Sequence, residues 1–212
     1  MSIFIPKFLN DLMKIVFATN NDHKLKEIHN LLGKSFKLLS LKDINFNEDI
    51  PEDYQSLEEN ALFKARFINK ISGMNVFADD TGLEIEALEG RPGVHSARFA
   101  GEQKDFEANI DKVLLLMTGE INRKARFRTV IALILDDVEY LFEGAVPGTI
   151  LRERRGNNGF GYDPVFSPEG QKLTFAEMTL DEKNRISHRS QAFEKLKMFL
   201  AQYTSPDNKV TK

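Results

Sequence analysis

Thr19-Asn20-Asn21-Asp22-His23-Lys24 stands between a short apolar run and an amphipathic one, where a strand would hand over to a helix. A loop of that kind presents unpaired backbone N–H groups and the positive end of a helix dipole, which suits phosphate. Thr19, Asn20 and Asn21 add side-chain donors, and Lys24 adds a compact positive charge in the first turn. Neither the P-loop glycine pattern nor the dinucleotide fingerprint is present. A plain polar turn in which Asn or Asp caps the helix uses the same residues. Further on, Phe77-Ala78-Asp79-Asp80-Thr81-Gly82 puts two acids at the end of a hydrophobic run. Strand alternation sends Asp79 and Asp80 to opposite faces, so only one of them faces a given cleft. A carboxylate there is placed to hold Mg²⁺, a hard ion that takes oxygen ligands and keeps several waters. The acidic stretch Glu48, Asp49, Glu52, Asp53 offers a second ligand. The competing reading is an Asp turn beside a solvated acidic loop.

In Asn157-Asn158-Gly159-Phe160-Gly161-Tyr162-Asp163-Pro164, two glycines bracket an aromatic residue. They let the backbone approach a flat ligand while Phe160 or Tyr162 stacks on it, and base–aromatic stacking is worth about 1–3 kcal/mol. A tight turn with core aromatics is the alternative. Lys183 and Ser187 lie four positions apart and share a helix face if the stretch is helical. With His188 and Arg189 they make a cluster of donors suited to carbonyl acceptors, or else a solvated basic helix start. His29 reads as a surface residue, and His95 as a packing residue with no metal-ligand spacing around it. Phe175, Phe193, Leu196, Phe199 and Leu200 read as core.

The elements that must position these residues alternate between strand and helix. Lys14–Ala18 reads as a strand, Asp22–Leu32 as a helix closed by Gly33, and Phe36–Leu41 as a second strand. Ser56 and Glu59 form a capping-box signature opening a helix that runs to Gly73. Asn75–Asp79 reads as a third strand, followed by a separate extended segment in which Leu83, Ile85 and Ala87 alternate with Glu84 and Glu86. A helix near Asp105–Met117 precedes strands around Arg126–Leu135 and Val138–Ala145, with Asp136 and Asp137 as their turn. A glycine-rich loop, Gly156–Asp163, leads to one final helix within Asp181–Tyr203. The pattern is α/β with a mixed sheet.

The composition bounds what this framework can do. The chain has 212 residues, 29 basic and 32 acidic side chains, a net charge of −3 and no cysteine. That length fits one domain able to bury most of its unfolded surface without staples. Thiolate metal sites, disulfides and cysteine nucleophiles are excluded. A slightly acidic chain lacks the Lys and Arg surplus of a nonspecific nucleic-acid coat. The longest apolar run, Val130–Leu135, is far too short to span a bilayer. The expectation is a cytoplasmic protein without membrane or nucleic-acid partners. Residues 1–12 have no signal-peptide pattern and read as a dispensable extension, residues 13–203 as a single domain, and residues 204–212 as a flexible tail.

In this order and spacing, six segments resemble the Ham1/RdgB-type inosine triphosphate pyrophosphatase family, the noncanonical purine NTP pyrophosphatases. They are TNNDHK at Thr19–Lys24, LEENALFKA at Leu57–Ala65, FADDTGLEIEAL at Phe77–Leu88, RPGVHSARFAGE at Arg91–Glu102, GFGYDPVF at Gly159–Phe166 and EKNRISHRSQA at Glu182–Ala192. The departures are mild: Asn20 stands where many members have Gly or Ser, and His95 where Tyr is common. The resemblance implies an elongated α/β fold, a mixed sheet with flanking helices and two lobes around a central substrate groove. It implies hydrolysis of ITP, dITP and XTP to the monophosphate and pyrophosphate, with Mg²⁺, by a homodimer. By motif position, Thr19, Asn20, Asn21, Asp22, His23 and Lys24 would bind the triphosphate, Asp22 and His23 mainly through backbone. Lys64 would hold phosphates, Asp80 would be catalytic and a metal ligand, Glu52 the second metal ligand, and Thr81 a substrate contact. Phe160, Gly161, Tyr162, Asp163, Lys183, His188 and Arg189 would surround the base.

The chemistry of the residue types agrees. Splitting the α–β bond needs charge neutralisation on a polyanion and a positioned water. An Asp with an ordinary pKa near 3.9 is a poor base at neutral pH. Asp80 is therefore expected to orient water and metal, with base character only if burial or Asp79 raises its pKa. Hypoxanthine and xanthine carry a 6-oxo acceptor, whereas adenine would present a donor to Lys183, His188 or Arg189. Two rivals stand beside this reading. A Maf-like pyrophosphatase acting on dTTP or UTP is disfavoured by the GFGYD and SHR motifs. A non-catalytic nucleotide sensor is disfavoured by Asp80, Glu52 and Lys24 occurring together.

Overall fold

The computed structural model describes residues 12–31 and 36–203, so the expectations for residues 1–11, for Leu32 and Gly33 at the end of the first helix, and for the tail at 204–212 lie outside the described residues. Strand β1 (Lys14–Phe17) leads through the Thr19–Asn21 loop into helix α1 (Asp22–Leu31), and β2 (Lys37–Leu39) follows. Helix α2 (Leu57–Ser72) begins at Ser56, whose side chain accepts from the Glu59 N–H, and ends at Gly73. The Ser56 hydroxyl also donates to Glu59 Oε2. Strand β3 (Val76–Ile85) is one continuous ten-residue strand, not the two extended pieces the pattern suggested. The polar run Asp79-Asp80-Thr81 interrupts its hydrophobic signal without interrupting its pairing, since every residue of β3 has a partner in β5.

A two-residue strand, β4 (Pro92–Gly93), pairs with β3, and α3 (Phe106–Leu116) is capped by Asp105. The long strands β5 (Lys124–Leu135) and β6 (Val138–Ile150) form a hairpin. Its turn residues Asp136 and Asp137 both have positive φ, the geometry of a type I′ turn. Strand β7 (Phe166–Pro168) closes the edge. The final helical region is two helices, α4 (Leu180–Ile186) and α5 (His188–Tyr203), broken at Ser187, which is extended and caps α4. Lys183 and Ser187 therefore do not share one continuous helix face.

The sheet order is β2-β1-β3-β5-β6-β7, with β1 parallel to both β2 and β3 and all later pairings antiparallel. Alternate residues of β3 pack on opposite faces. Val76 and Ala78 meet Leu57, Ala61, Ala65 and Ile68 of α2, while Phe77 meets Ile28 of α1 and Phe193 and Leu196 of α5. Beyond Asp80 the same strand enters a separate core, where Leu83 and Ile85 pack with Phe127, Phe166 and Phe175 and with Ile110 and Val113 of α3. The junction between these packed regions falls at Asp79–Gly82. There β3 also has a free edge, because β1 pairs only with Val76 and Phe77 and β4 only with Leu83 and Glu84. Gly82 permits the close approach of β4: a Cβ at this position would lie 2.6 Å from the Gly93 carbonyl oxygen.

Candidate active site

The free edge of β3 opens onto a groove of about 580 Å³. Thr19, Asn20, Asn21, Lys24, Glu52, Lys64, Asp80, Thr81, Phe160, Gly161, Tyr162, Asp163 and Arg189 all line it. Asp22, His23, Lys183 and His188 do not. Among the described residues, the groove thus brings together the end of β1, Lys24 of α1, Lys64 of α2 and Arg189 in the first turn of α5.

At one end the phosphate-facing residues are held from two sides. Asn21 Oδ1 accepts from the His23 and Lys24 N–H groups at 2.9 and 3.2 Å, so this side chain caps α1 and occupies two of its free donors. Asn20 Nδ2 donates to the Glu48 carbonyl and Asp49. Lys24 Nζ lies 2.9 Å from Asp79. As alternation predicts, Asp80 turns the other way, towards α2, where Asn60 Nδ2 donates to its Oδ2 at 3.1 Å and Lys64 Nζ lies 3.5 Å from its Oδ1. Lys64 also donates to Glu52 Oε1 at 2.7 Å, and Arg98 Nη2 to Glu52 Oε2 at 3.2 Å.

Burial sets the protonation of these groups apart. It raises the Asp80 pKa against the pull of Lys64 and Lys24, and Glu52, not Asp79, is the like charge that adds to the rise. Glu52 feels the cost of burial too, but Lys64 overcomes it and holds the carboxyl at about 2. Asp79 is likewise held well below the usual carboxylate range by Lys24, Arg189 and Lys64 in spite of its burial. Lys64 stays firmly protonated between Asp80 and Glu52 although burial opposes it.

At the other end Phe160 faces the groove, and the Gly159–Asp163 turn is pinned by Asp163 Oδ2, which accepts from the Phe160 N–H at 2.9 Å. Gly159 has φ +76°, and a Cβ there would meet Asp163 Oδ2 at 2.0 Å, so the turn requires glycine at this point. Tyr162 is buried and donates its hydroxyl to the Ser96 carbonyl at 2.9 Å. The His23 ring stacks on Phe160 with centroids 4.9 Å apart. Of the donors expected to face a base, Arg189 alone lines the groove. Its guanidinium bonds Glu27 and reaches Asp79 Oδ2 and Thr81 Oγ1 at 3.4 and 3.3 Å. Lys183 is enclosed behind it, donating to Glu27 and Asp163 at 2.7 Å each. His188 is stacked on Phe127 at 4.6 Å with Nδ1 unpartnered, and its burial lowers its pKa well below the ordinary value, so it is a neutral ring. His95, read as a packing residue, is exposed on the groove wall.

Sequence reasoning missed Glu27, Asn60 and the place of Arg98. Glu27 lies three positions after Lys24 and one before Ile28, and Asn60 lies between Leu57 and Ala61; both sit on the buried stripe of their helix. A charged or amide side chain inside an otherwise apolar stripe was the available signal.

The model of the Ham1 family matches residues 15–199, nearly the whole of this framework. The chain belongs to the Ham1 family. It is 53% identical over 188 residues to a dITP/XTP pyrophosphatase of Porphyromonas gingivalis, covering 88% of this chain and 97% of that protein. It is 51% identical over 189 residues to a dITP/XTP pyrophosphatase of Christiangramia forsetii, covering 89% and 100%. The structure of the Staphylococcus aureus Ham1 protein superposes with a TM-score of 0.82 at 36% identity, covering 90% of this chain and all of that one. The mixed α/β fold of the Ham1 family is therefore shared, including the curled sheet around the groove.

Two carboxylates in this Ham1 groove have the chemistry to hold a divalent cation. Glu52 and Asp80 each direct an oxygen at the same ammonium, Lys64 Nζ, so two hard oxygen donors converge on one point. No cluster of three or more His, Cys, Asp or Glu side chains suited to a metal occurs among the described residues. Two carboxylates fit a Mg²⁺ whose other positions are filled by water and substrate phosphate, the usual manner of binding this ion.

Proposed function

We propose that the protein hydrolyses noncanonical purine nucleoside triphosphates, ITP, dITP and XTP, to the nucleoside monophosphate and pyrophosphate. The observation that carries this reading is a single groove with Asp80, Glu52, Lys64 and Lys24 at one end and Phe160 with Arg189 at the other. A triphosphate and a planar base attached through ribose need that separation of charge and aromatic surface. The dITP/XTP pyrophosphatases at about half identity support the substrate class.

In the reaction, a water oxygen forms a bond to the α-phosphorus, the α–β bridging bond breaks, and pyrophosphate leaves with the bridging oxygen. Asp80 orients the water and takes its proton, a role favoured by the raised pKa that burial gives it. Asn60 fixes Oδ2 of Asp80, leaving Oδ1 near Lys64. Lys24 and Lys64 neutralise charge on the phosphates. Mg²⁺ held by Glu52 and Asp80 would supply charge stabilisation on the phosphates and lower the pKa of bound water. Arg189, locked by Glu27, Asp79 and Thr81, offers a fixed donor to a 6-oxo group on the base, while Phe160 supplies the stacking surface. A 6-amino group in the same position leaves a buried donor unpaired, a discrimination that reaches several orders of magnitude in other enzymes.

The assay is a nucleoside triphosphate panel with pyrophosphate detection, with and without Mg²⁺. ITP and XTP are expected to turn over at least about a hundredfold faster than ATP, as judged by kcat/KM, since one mismatched donor costs that much or more. GTP, which keeps the 6-oxo group, is also expected to be poor, through its 2-amino group. Equal kcat/KM across the four overturns the reading, and a preference for dTTP or UTP favours a Maf-like activity. The protein is further read as a cytoplasmic homodimer that works on free nucleotides without binding nucleic acid. Among the described residues, no helix is long and apolar enough to cross a membrane.

A further inference from the structure

The groove wall opposite α2 carries two cations that the chemistry above leaves unused. Arg98 ends the short turn Ser96–Arg98, and Lys104 lies in the loop before α3; both line the groove. Arg98 donates from Nη1 to the Glu52 carbonyl and from Nη2 to Glu52 Oε2, each at 3.2 Å, and its Nε lies 3.5 Å from Glu102. Lys104 is exposed, and its charge also acts on Glu52. Together with Lys24 and Lys64, these residues bring four cations to bear on Glu52 along the groove, an arrangement suited to a polyanion.

The backbone supplies an independent observation. Of the five non-glycine residues with positive φ among the described residues, only Lys104 lines the groove. A lysine at φ +53° occupies a region that ordinary L-residues disfavour. Such outliers cluster at ligand clamps, where a side chain must be aimed at a cost to the backbone. Past Glu52 the wall continues into a second cavity that shares Glu52, His95, Arg98 and Glu102 with the groove and adds Asp53 and Phe99. Three acids there make that space repellent to a phosphate, so an anion in the groove would stop at Arg98.

We propose that Arg98 and Lys104 bind the terminal phosphate of the substrate and so measure its chain length, distinguishing a nucleoside triphosphate from a diphosphate. The inference rests on the proposed pyrophosphatase reading and specifies the far end of its site. A planar guanidinium bonds phosphate in two-point geometry, and Arg98 already uses two nitrogens on one residue, Glu52. When Glu52 engages a cation, its Oε2 no longer needs Arg98, and the guanidinium becomes available to the γ-phosphate. The base lies with Arg189 and Phe160, whose hydrogen bonds and ring contacts involve neither Arg98 nor Lys104.

The test compares wild type with Arg98→Gln, Arg98→Lys and Lys104→Gly. The measurements are kcat/KM for ITP and IDP, equilibrium binding of inorganic pyrophosphate with Mg²⁺ by calorimetry, and inhibition by IMP. Arg98→Gln is expected to lower the ITP-to-IDP ratio about 10- to 100-fold and to weaken pyrophosphate binding comparably, the range for losing charge-assisted hydrogen bonds. Arg98→Lys should restore part of both, because it returns the charge without the fork. Lys104→Gly should weaken pyrophosphate binding by about 1.5- to 5-fold, the range for one exposed charge, while raising Tm because glycine accepts the positive φ. IMP inhibition should stay unchanged in all three. Equal losses on ITP and IDP, or pyrophosphate affinity within twofold of wild type in Arg98→Gln, overturns the terminal-phosphate role. Failure of the wild type to hydrolyse ITP overturns the pyrophosphatase reading instead.

Discussion

Replacing Asp80 by Asn is expected to lower pyrophosphate release from ITP by about a thousandfold or more while leaving the fold intact. The residue is 7% exposed and stands at the junction of the packed regions, where β3 has a free edge. Its Oδ2 accepts from Asn60 and its Oδ1 approaches Lys64, so the carboxylate is aimed into the groove by α2. The substitution removes a proton acceptor and one oxygen donor to the cation together. General-base assistance alone is worth about 10²–10⁴-fold, and loss of charge stabilisation adds to it. The measurement is single-turnover pyrophosphate release at saturating ITP, with Tm recorded for the same sample. Activity within tenfold of wild type removes Asp80 from the mechanism. Asp80 stability runs opposite to that of an ordinary paired acid. Its folded pKa is raised, chiefly by burial, so ionisation costs stability at neutral pH and the cost is relieved as pH falls through the raised value. Asp80→Asn should therefore preserve or raise Tm near pH 7, separating a chemical defect from a folding one.

Much of this site was legible because its residue types carry unmistakable chemistry and its elements carry clear periods. The Thr19–Lys24 turn follows a strand and opens a helix as read, and the alternation of Asp79 and Asp80 is borne out by their separate partners on α1 and α2. What escaped did so for physical reasons. Strand β3 reads as two pieces because polar residues at its centre are buried by tertiary partners, which a hydrophobic pattern cannot register. Strands β4 and β7 are two and three residues long and contain proline, so they lack any period to detect. Ser187 ends one helix through an extended backbone, and the next begins at His188 without a break in composition. Past that break His188 packs on Phe127, while Arg189 lines the groove. Glu27 has no sequence signal that identifies its partners, since only three-dimensional placement shows that these cations come from α4 and α5, 156 and 162 residues away.

Glu27 is the centre of the second large effect. It joins Asp79 and Asp163 against Lys24, Lys183 and Arg189, so three acids and three cations compensate one another from Lys24 at the phosphate end of the groove to Arg189 at the base end. Each is largely withdrawn from solvent; Arg189 and Asp79 are each 2% exposed. Deleting one member of a buried ion network leaves an opposite charge uncompensated, at a cost of about 3–5 kcal/mol. For a chain of this size, that corresponds to a fall in Tm of about 6–20 °C at 2–4 °C per kcal/mol. Glu27→Gln is expected to show it, and to loosen Arg189 enough to erode the preference for ITP over ATP. The pH dependence has a definite sign. The attraction of Arg189 and Lys183 outweighs the burial of Glu27 and lowers its pKa, and Lys24, Arg189 and Lys64 do the same for Asp79. Groups depressed in the folded state stabilise it above their unfolded values, about 4.3 for Glu and 3.9 for Asp, and lose that contribution as pH falls through the folded values. Wild type should therefore lose Tm steeply below about pH 4, and Glu27→Gln should lose less over the same interval, because one of the titrating groups is gone. Thermal unfolding of both proteins between neutral pH and pH 3 makes the comparison. Parallel curves, or a Tm within about 2 °C of wild type at pH 7, which is under about 1 kcal/mol at this size, would show that Glu27 does not hold the network together.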